Sequence, residues 1–209
     1  MNPGRLIRCG LLGLLAGFEL FVGILILFPQ VPEQFRAYYI DRSTDCWPFE
    51  VSGAYRLGAT VSFVRPASPG IGNLKVCGWL DPEDTGTWSI GPEARLRFRV
   101  PPPVADLLLE LDMLAFVATG LPEQVVNLTV NGSPLETLRL GPVSSGKKYF
   151  RIPRALVLEN WGVVELWMQF PTARSPASLG INNDQRRLAV RLRSVRLTLA
   201  RSPAPPAQR

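Results

Sequence analysis

Histidine is absent from this 209-residue chain. That excludes Ser-His-Asp and Cys-His catalysis in their usual forms and any His-containing metal site. Cysteine is scarce: Cys9, Cys46 and Cys77 form no Cys-x-x-Cys pair and are too few and too widely spaced for zinc, so no metal or other cofactor is expected. Lysine occurs only at Lys75, Lys147 and Lys148, which leaves a formal charge of +6 resting mainly on arginine. The arginines alternate along apparent strands such as "RLRFRV" and "RLAVRLRSVRL" and do not cluster. This places them on a solvated strand face and argues against a nucleic-acid partner.

Proline and glycine are plentiful instead, at 20 and 18 residues, favouring many turns over long helices. The exception is "CGLLGLLAGFELFVGILILF", residues 9–28, in which Glu19 is the only ionisable residue apart from the cysteine at its start. Twenty helical residues span about 30 Å, one bilayer core. No A-x-A-type cleavage site follows, so the segment reads as an uncleaved transmembrane signal anchor. Arg5 and Arg8 precede it and favour a cytoplasmic N-terminus, with the rest of the chain exported. The expected location is a bacterial inner membrane with a periplasmic body. An ionisable group at mid-membrane costs on the order of 3 kcal/mol unless protonated or partnered. Glu19, with the small-residue spacing Gly13-x-x-x-Gly17, is therefore a candidate contact to a partner helix. The alternative is a protonated Glu19 bonded to its own helix or snorkelling.

Export changes the reading of Cys46 and Cys77, which become the only cysteine pair in an oxidising compartment and are predicted to form a disulfide. After the anchor, short segments rich in branched and aromatic residues recur between turn residues, among them "DLLLELDMLAF", "QVVNLTV", "KKYFRI" and "VVELWMQF". This is the pattern of an all-β, jelly-roll-like antiparallel β-sandwich of eight or nine strands, preceded by the single N-terminal transmembrane helix. Asn131-Gly132 predicts a two-residue hairpin turn, and the alternation "RLAVRLRSVRL" slips near Ser194. "PRALVLEN" suggests a helical turn crossing between sheets, and Ser144–Lys148 reads as a hairpin turn. The organisation expected is 1–8 cytoplasmic, 9–28 transmembrane, 29–72 a membrane-proximal connector with the first strand region, 73–200 the β-sandwich, and 201–209 a proline-rich tail.

"GWLDPEDTGTWSIGPEA", residues 78–94, gathers Trp79 and Trp88 with Asp81, Glu83, Asp84 and Glu93. The order Gly78-Trp79, Pro82-Glu83, Gly86-x-Trp88-Ser89-x-Gly91, Ala94 resembles a pattern in β-sandwich domains attached to bacterial membrane proteins of polysaccharide and phosphoglycerol transfer. "SPASLGINNDQRRLAVRLRSVRL", residues 175–197, is similar to a second block of that family. The two blocks bracket about residues 74 to 199. The resemblance implies a carbohydrate-binding-module-like fold and a carbohydrate-related context. It implies no catalytic residue, because the multi-pass transferase portion has no counterpart here.

Two readings of these residues stand side by side. In one, Trp79 and Trp88 offer flat faces to sugar rings while Glu83, Asp84, Asn182, Asn183, Asp184 and Arg186 hydrogen-bond hydroxyls. In the other, Trp88 fills the core, Pro82 and Gly86 form turns, and Asn183 or Asp184 caps a loop. At the level of function, the first expectation is a non-enzymatic accessory or structural subunit that assembles a larger bacterial membrane complex through partner subunits. The alternative is a membrane-tethered carbohydrate-binding module for a cell-envelope polysaccharide. No nucleophile-base pair or metal constellation supports an enzyme.

Overall fold

The computed structural model describes residues 3–27, 35–40, 46–47, 53–142 and 146–200. The proline-rich tail 201–209, much of the connector and Ser144-Ser145 lie outside them. The chain divides into two compact units, Met1–Asp41 and Arg42–Arg209.

The first unit holds helix α1, Pro3–Leu27, 25 residues long. Proline at its first position is tolerated because the N–H it lacks would have had no helical acceptor. From Gly10 to Phe21 every side chain is exposed, Glu19 included, and nothing lies within 4 Å of a Cβ placed on Gly13 or Gly17. Among the described residues no helix is long and apolar enough to cross a membrane. A π-helical turn, Arg36–Ile40, follows, with the Tyr39 ring 4.6 Å from Phe35 and 4.8 Å from Tyr38.

The second unit is an antiparallel β-sandwich of two five-stranded sheets. Its strands are β1 (Thr60–Ser62), β2 (Lys75–Cys77), β3 (Thr87–Trp88), β4 (Glu93–Arg99), β5 (Leu107–Ala115), β6 (Gln124–Val130), β7 (Ser133–Leu140), β8 (Gly146–Ile152), β9 (Val163–Gln169) and β10 (Val190–Leu199). One sheet runs β1-β10-β5-β8, with β3 also paired to β10; the other runs β2-β4-β9-β6-β7. The all-β expectation holds. The sandwich takes in β1, which pairs with β10 through Val61 and Val195.

Alternation explains why these strands bury one face. Leu107, Leu109, Leu111 and Met113 of β5 meet Leu96 and Phe98 of β4, Val126 and Leu128 of β6, and Val164, Leu166 and Met168 of β9 in a single core. Each such side chain contributes roughly 1.5–3 kcal/mol by leaving water. The slip near Ser194 is a β-bulge: the β10–β5 register moves from Leu192↔Met113 to Ser194↔Asp112, returning Val195 and Leu197 to the core. Asn131 (φ 49°) and Gly132 (φ 78°) make the predicted hairpin between β6 and β7. "PRALVLEN" forms helix α2, Arg154–Glu159, which carries the chain from β8 in one sheet to β9 in the other.

Two expectations are corrected. Lys147 and Lys148 do not sit in a hairpin turn: they lie inside β8, and β7 and β8 belong to different sheets, so this connection crosses the sandwich. The arginines of "RLRFRV" do not share a solvated face either. Arg95 is buried, its side chain 10% exposed, because Glu93 and Glu165 neutralise it beneath the outer surface of the sheet. The disulfide is present. Cys46 joins Cys77 with a Cα–Cα distance of 5.3 Å, and Cys77 stands opposite Arg95 in the β2–β4 register.

Candidate functional site

The two sequence blocks, almost a hundred residues apart, meet along β10. Trp88 pairs with Arg191 and Thr87 with Leu192. The Ser89 N–H donates to the Val190 carbonyl at 2.8 Å, and the Ser89 hydroxyl accepts the Val190 N–H at 3.0 Å. The Gly91 N–H reaches the Arg187 carbonyl at 2.9 Å. A Cβ on Gly86 would stand 2.6 Å from the Leu192 carbonyl oxygen, and one on Gly78 only 2.1 Å from that of Glu93. Both have positive φ, so these two glycines permit a backbone approach that no side chain could share.

The candidate sugar contacts divide into three environments. Trp79 is half-buried: it donates its Nε1–H to the Arg95 carbonyl at 3.1 Å, lies 6.2 Å from the Phe63 ring and packs against the core. At the loop cluster, exposed Glu83 exchanges backbone hydrogen bonds with Gly86, and its charge raises the Arg186 pKa after the larger effect of the Asp184 hydrogen bond. Exposed Asp84 lies 3.9 Å from Arg65. Asn182 Oδ1 accepts the Asp184 N–H at 2.8 Å, while Asp184 accepts the Arg186 N–H at 2.9 Å and its Nη2 at 2.7 Å. These Arg186 hydrogen bonds hold the Asp184 carboxyl at about 2. Asn183 is exposed between them.

Trp88 belongs to the third environment, the outer face of the β1-β10-β5-β8 sheet. It is half-buried there, meeting Phe116 edge-to-face at 6.1 Å with the Arg191 guanidinium 5.0 Å over its ring. It therefore lies outside the core cluster. Arg191 also donates to the Thr85 hydroxyl at 2.8 Å.

Further along this face the strand registers set Glu110 between Tyr149 and Arg196, and Asp112 between Lys147 and Ser194. Lys147 bonds Glu110 at 2.6 Å, which raises the lysine pKa, and Arg193 approaches Asp112 at 3.9 Å. Tyr149 is 55% exposed. A groove of about 510 Å³ is lined by Leu108, Glu110, Arg151, Arg196, Thr198 and Leu199. Asp106 bonds Arg151 of that lining: it accepts the Arg154 N–H at 2.9 Å and the Arg151 Nε–H at 2.7 Å, which lower its pKa in that order.

Tyr149, Glu110, Asp112 and Arg191 were not singled out from the sequence. Alternation within "DLLLELDMLAF" and "KKYFRI" sorts each strand's faces, but the pairing of β5 with β8 and β10 is what assembles them. Glu83 and Glu93, two acids of the first block, occupy different settings: Glu83 is exposed, and Glu93 is buried against Arg95 at 3.2 Å. Among the described residues no cluster of three His, Cys, Asp or Glu could hold a metal ion.

No protein-family model and no curated protein matches the chain. Among solved structures it is similar to CsCBM6-3 of Clostridium stercorarium, determined with cellobiose, at 9% identity and a TM-score of 0.31 over 55% of this chain and 74% of that one. It is also similar to a family 35 carbohydrate binding module from an environmental isolate, at 12% identity and a TM-score of 0.31 over 73% and 90%. A β-glucosidase from Paenibacillus barengoltzii matches at 10% identity and a TM-score of 0.26, over 49% of this chain and 10% of the enzyme.

Proposed function

We propose that this protein is a non-catalytic, membrane-tethered module that binds a cell-envelope polysaccharide. The observation that carries the reading is the outer face of the β1-β10-β5-β8 sheet. There Trp88 and solvent-exposed Tyr149 stand among Arg191, Arg193, Arg196, Glu110 and Asp112 on paired strands. Aromatic faces stack on the apolar faces of sugar rings, and fixed charged and amide groups hydrogen-bond the hydroxyls around them. Glu83, Asp84, Asn182 and Asn183 extend the surface at the adjoining loops, while Asp184 and Arg186 hold that loop in shape.

The tether is α1, with the N-terminus cytoplasmic and the sandwich in the periplasm of a bacterial inner membrane. Supporting it are the apolar side chains exposed on all sides from Leu11 to Phe21, Arg5 and Arg8 before the run, and the aromatic group Phe35, Tyr38 and Tyr39 after it. The Cys46–Cys77 disulfide fits an oxidising compartment. The test is affinity electrophoresis and calorimetry of the full chain in detergent against envelope polysaccharides. Trp88→Ala and Tyr149→Ala are each expected to weaken binding by about 2- to 10-fold. Unchanged affinity in both variants, or no retention on any polysaccharide, overturns the reading.

A second reading is an accessory subunit of a larger membrane complex. It is favoured by Glu19 exposed on an apolar helix that also carries Gly13 and Gly17 with open space beside them. Gentle extraction followed by mass spectrometry of co-migrating proteins tests it. Stoichiometric partners that are lost in Glu19→Leu support it, and a solitary protein defeats it.

A further inference from the structure

Trp161 is held where neither folding nor burial accounts for a tryptophan. It is 89% exposed, so its ring gains almost nothing from leaving water, and its φ is 55°, a left-handed conformation unfavourable for a bulky side chain. The conformation is enforced by its surroundings. The Trp161 N–H donates to the Leu158 carbonyl at 3.1 Å, the Gly162 N–H to Val157 at 2.9 Å, and the Val100 N–H to the Gly162 carbonyl at 2.8 Å. A Cβ on Gly162 would come within 2.4 Å of the Val100 oxygen. The turn after α2 thus fixes the backbone of Trp161 and presents its indole to solvent.

Beside the indole is a shallow depression of about 550 Å³, lined by Ala54, Tyr55, Arg56, Arg99, Val100, Pro101 and Trp161. Its floor is fixed: the Tyr55 hydroxyl bonds the Ala59 carbonyl and accepts the Leu197 N–H at 2.8 Å, and the Tyr55 ring meets Phe98 edge-to-face at 5.3 Å. One wall is stitched to β4, the Tyr55 N–H donating to the Arg99 carbonyl at 2.7 Å. Arg56 and Arg99 are both exposed, and among the described residues the lining contains no carboxylate. The loop cluster of the two sequence blocks lies at the other end of β4, a strand of 7 residues or about 20 Å.

We infer that Trp161, Arg56 and Arg99 form a second saccharide contact, selective for a sugar carrying a carboxylate, as in a uronic-acid polymer. The indole stacks on one ring face, and the two guanidiniums receive the carboxylate by charge-assisted hydrogen bonds. A single aromatic beside a shallow depression suits one ring. Two cations in a lining whose described residues include no acid select an anion. The inference rests on the glycan-binding reading and adds a ligand class and a separate site to it.

The chain's five tryptophans make the test specific. Full-length protein labelled with 5-fluorotryptophan, in lipid nanodiscs, gives separate fluorine resonances, with Trp161 assigned from Trp161→Asn and Trp88 from Trp88→Phe. Titration with oligogalacturonate is expected to shift the Trp161 resonance, neutral cello-oligosaccharide to leave it in place, and the double variant Arg56→Ala/Arg99→Ala to weaken the oligogalacturonate effect at least tenfold. Asparagine accepts a left-handed backbone, so Trp161→Asn should keep or raise Tm while abolishing oligogalacturonate binding at this site.

A Trp161 resonance unmoved by oligogalacturonate overturns the inference. So does one moved only by replacing neutral with anionic lipid in the nanodiscs, which would mark a membrane contact. A Trp161→Asn protein of markedly lower Tm would assign the residue to folding and overturn it as well. The Trp88 resonance and binding of the neutral oligosaccharide judge the broader glycan-binding reading independently.

Discussion

Arg95 holds its guanidinium carbon 4.4 Å from the centre of the Trp167 ring while its nitrogen lies 3.2 Å from Glu93. Both members of the ion pair are buried, and a third group, Glu165, approaches Arg95 at 3.6 Å. In such a setting removing one charge destabilises more than the pair itself contributes, because the remaining charge stays desolvated. Arg95→Ala is expected to lower stability by about 2–4 kcal/mol in denaturant unfolding. Arg95→Met, which keeps the stem over Trp167, should lose less. Equal losses in the two variants would show that the charge alone matters.

Cys46 and Cys77 are 31 residues apart, and their bond restricts the unfolded chain. In the loop-entropy model the double change Cys46→Ser/Cys77→Ser costs about 3–4 kcal/mol. A reductant should lower the Tm of the native protein and leave that of the double variant unchanged.

Gly78 tests whether the first sequence block is a structural joint. Its φ of 73°, and the 2.1 Å that would separate an added Cβ from the Glu93 carbonyl oxygen, leave no room for a side chain. Gly78→Ala is expected to destabilise by about 2–4 kcal/mol. Gly120, also left-handed but with nothing within 4 Å, should lose less on the same change, and comparison of the two melting temperatures separates strain from collision.

Acid should loosen the Asn182–Arg187 loop before the sandwich unfolds. Asp184 titrates at about 2 in the fold, below its ordinary 3.8, so its contribution is present above the ordinary value and is lost as pH falls toward 2. Asp106 is lowered also, first by the Arg154 N–H and then by Arg151, and its contribution has the same sign. NMR titration should show the Arg186 amide moving with a midpoint near 2, and Arg186→Ala should bring the Asp184 midpoint up toward its ordinary range. A native midpoint at the ordinary value would mean that the carboxylate and guanidinium are not paired in solution.

Local chemistry made part of this protein legible in advance. Strand faces follow from two-residue alternation, the β6–β7 hairpin from Asn131-Gly132, the irregularity of β10 from its broken pattern, and the sheet crossing at α2 from "PRALVLEN". Cys46 and Cys77 could be paired because an exported reading left them no other cysteine partner. Each inference concerns neighbours in the chain or a choice with one member.

Partners distant in sequence were decided by the tertiary structure. Arg95 alternates like a solvated residue, yet Glu93, Glu165 and Trp167 make burial tolerable, and nothing local records the approach of β9. Trp88 appears beside Trp79 in one block, but strand pairing sends Trp88 to an outer face with Arg191 and leaves Trp79 against the core. Tyr149, Glu110 and Arg196 become a surface only when β5, β8 and β10 align. Trp161 is exposed because the turn after α2 is tied back to Val100. The sequence determined the β architecture and the apolar character of residues 9–28, since both depend on short-range periodicity. Which residues share a surface was settled by pairing between remote strands, where backbone hydrogen bonds and core packing choose the register and the side chains on the outer faces follow.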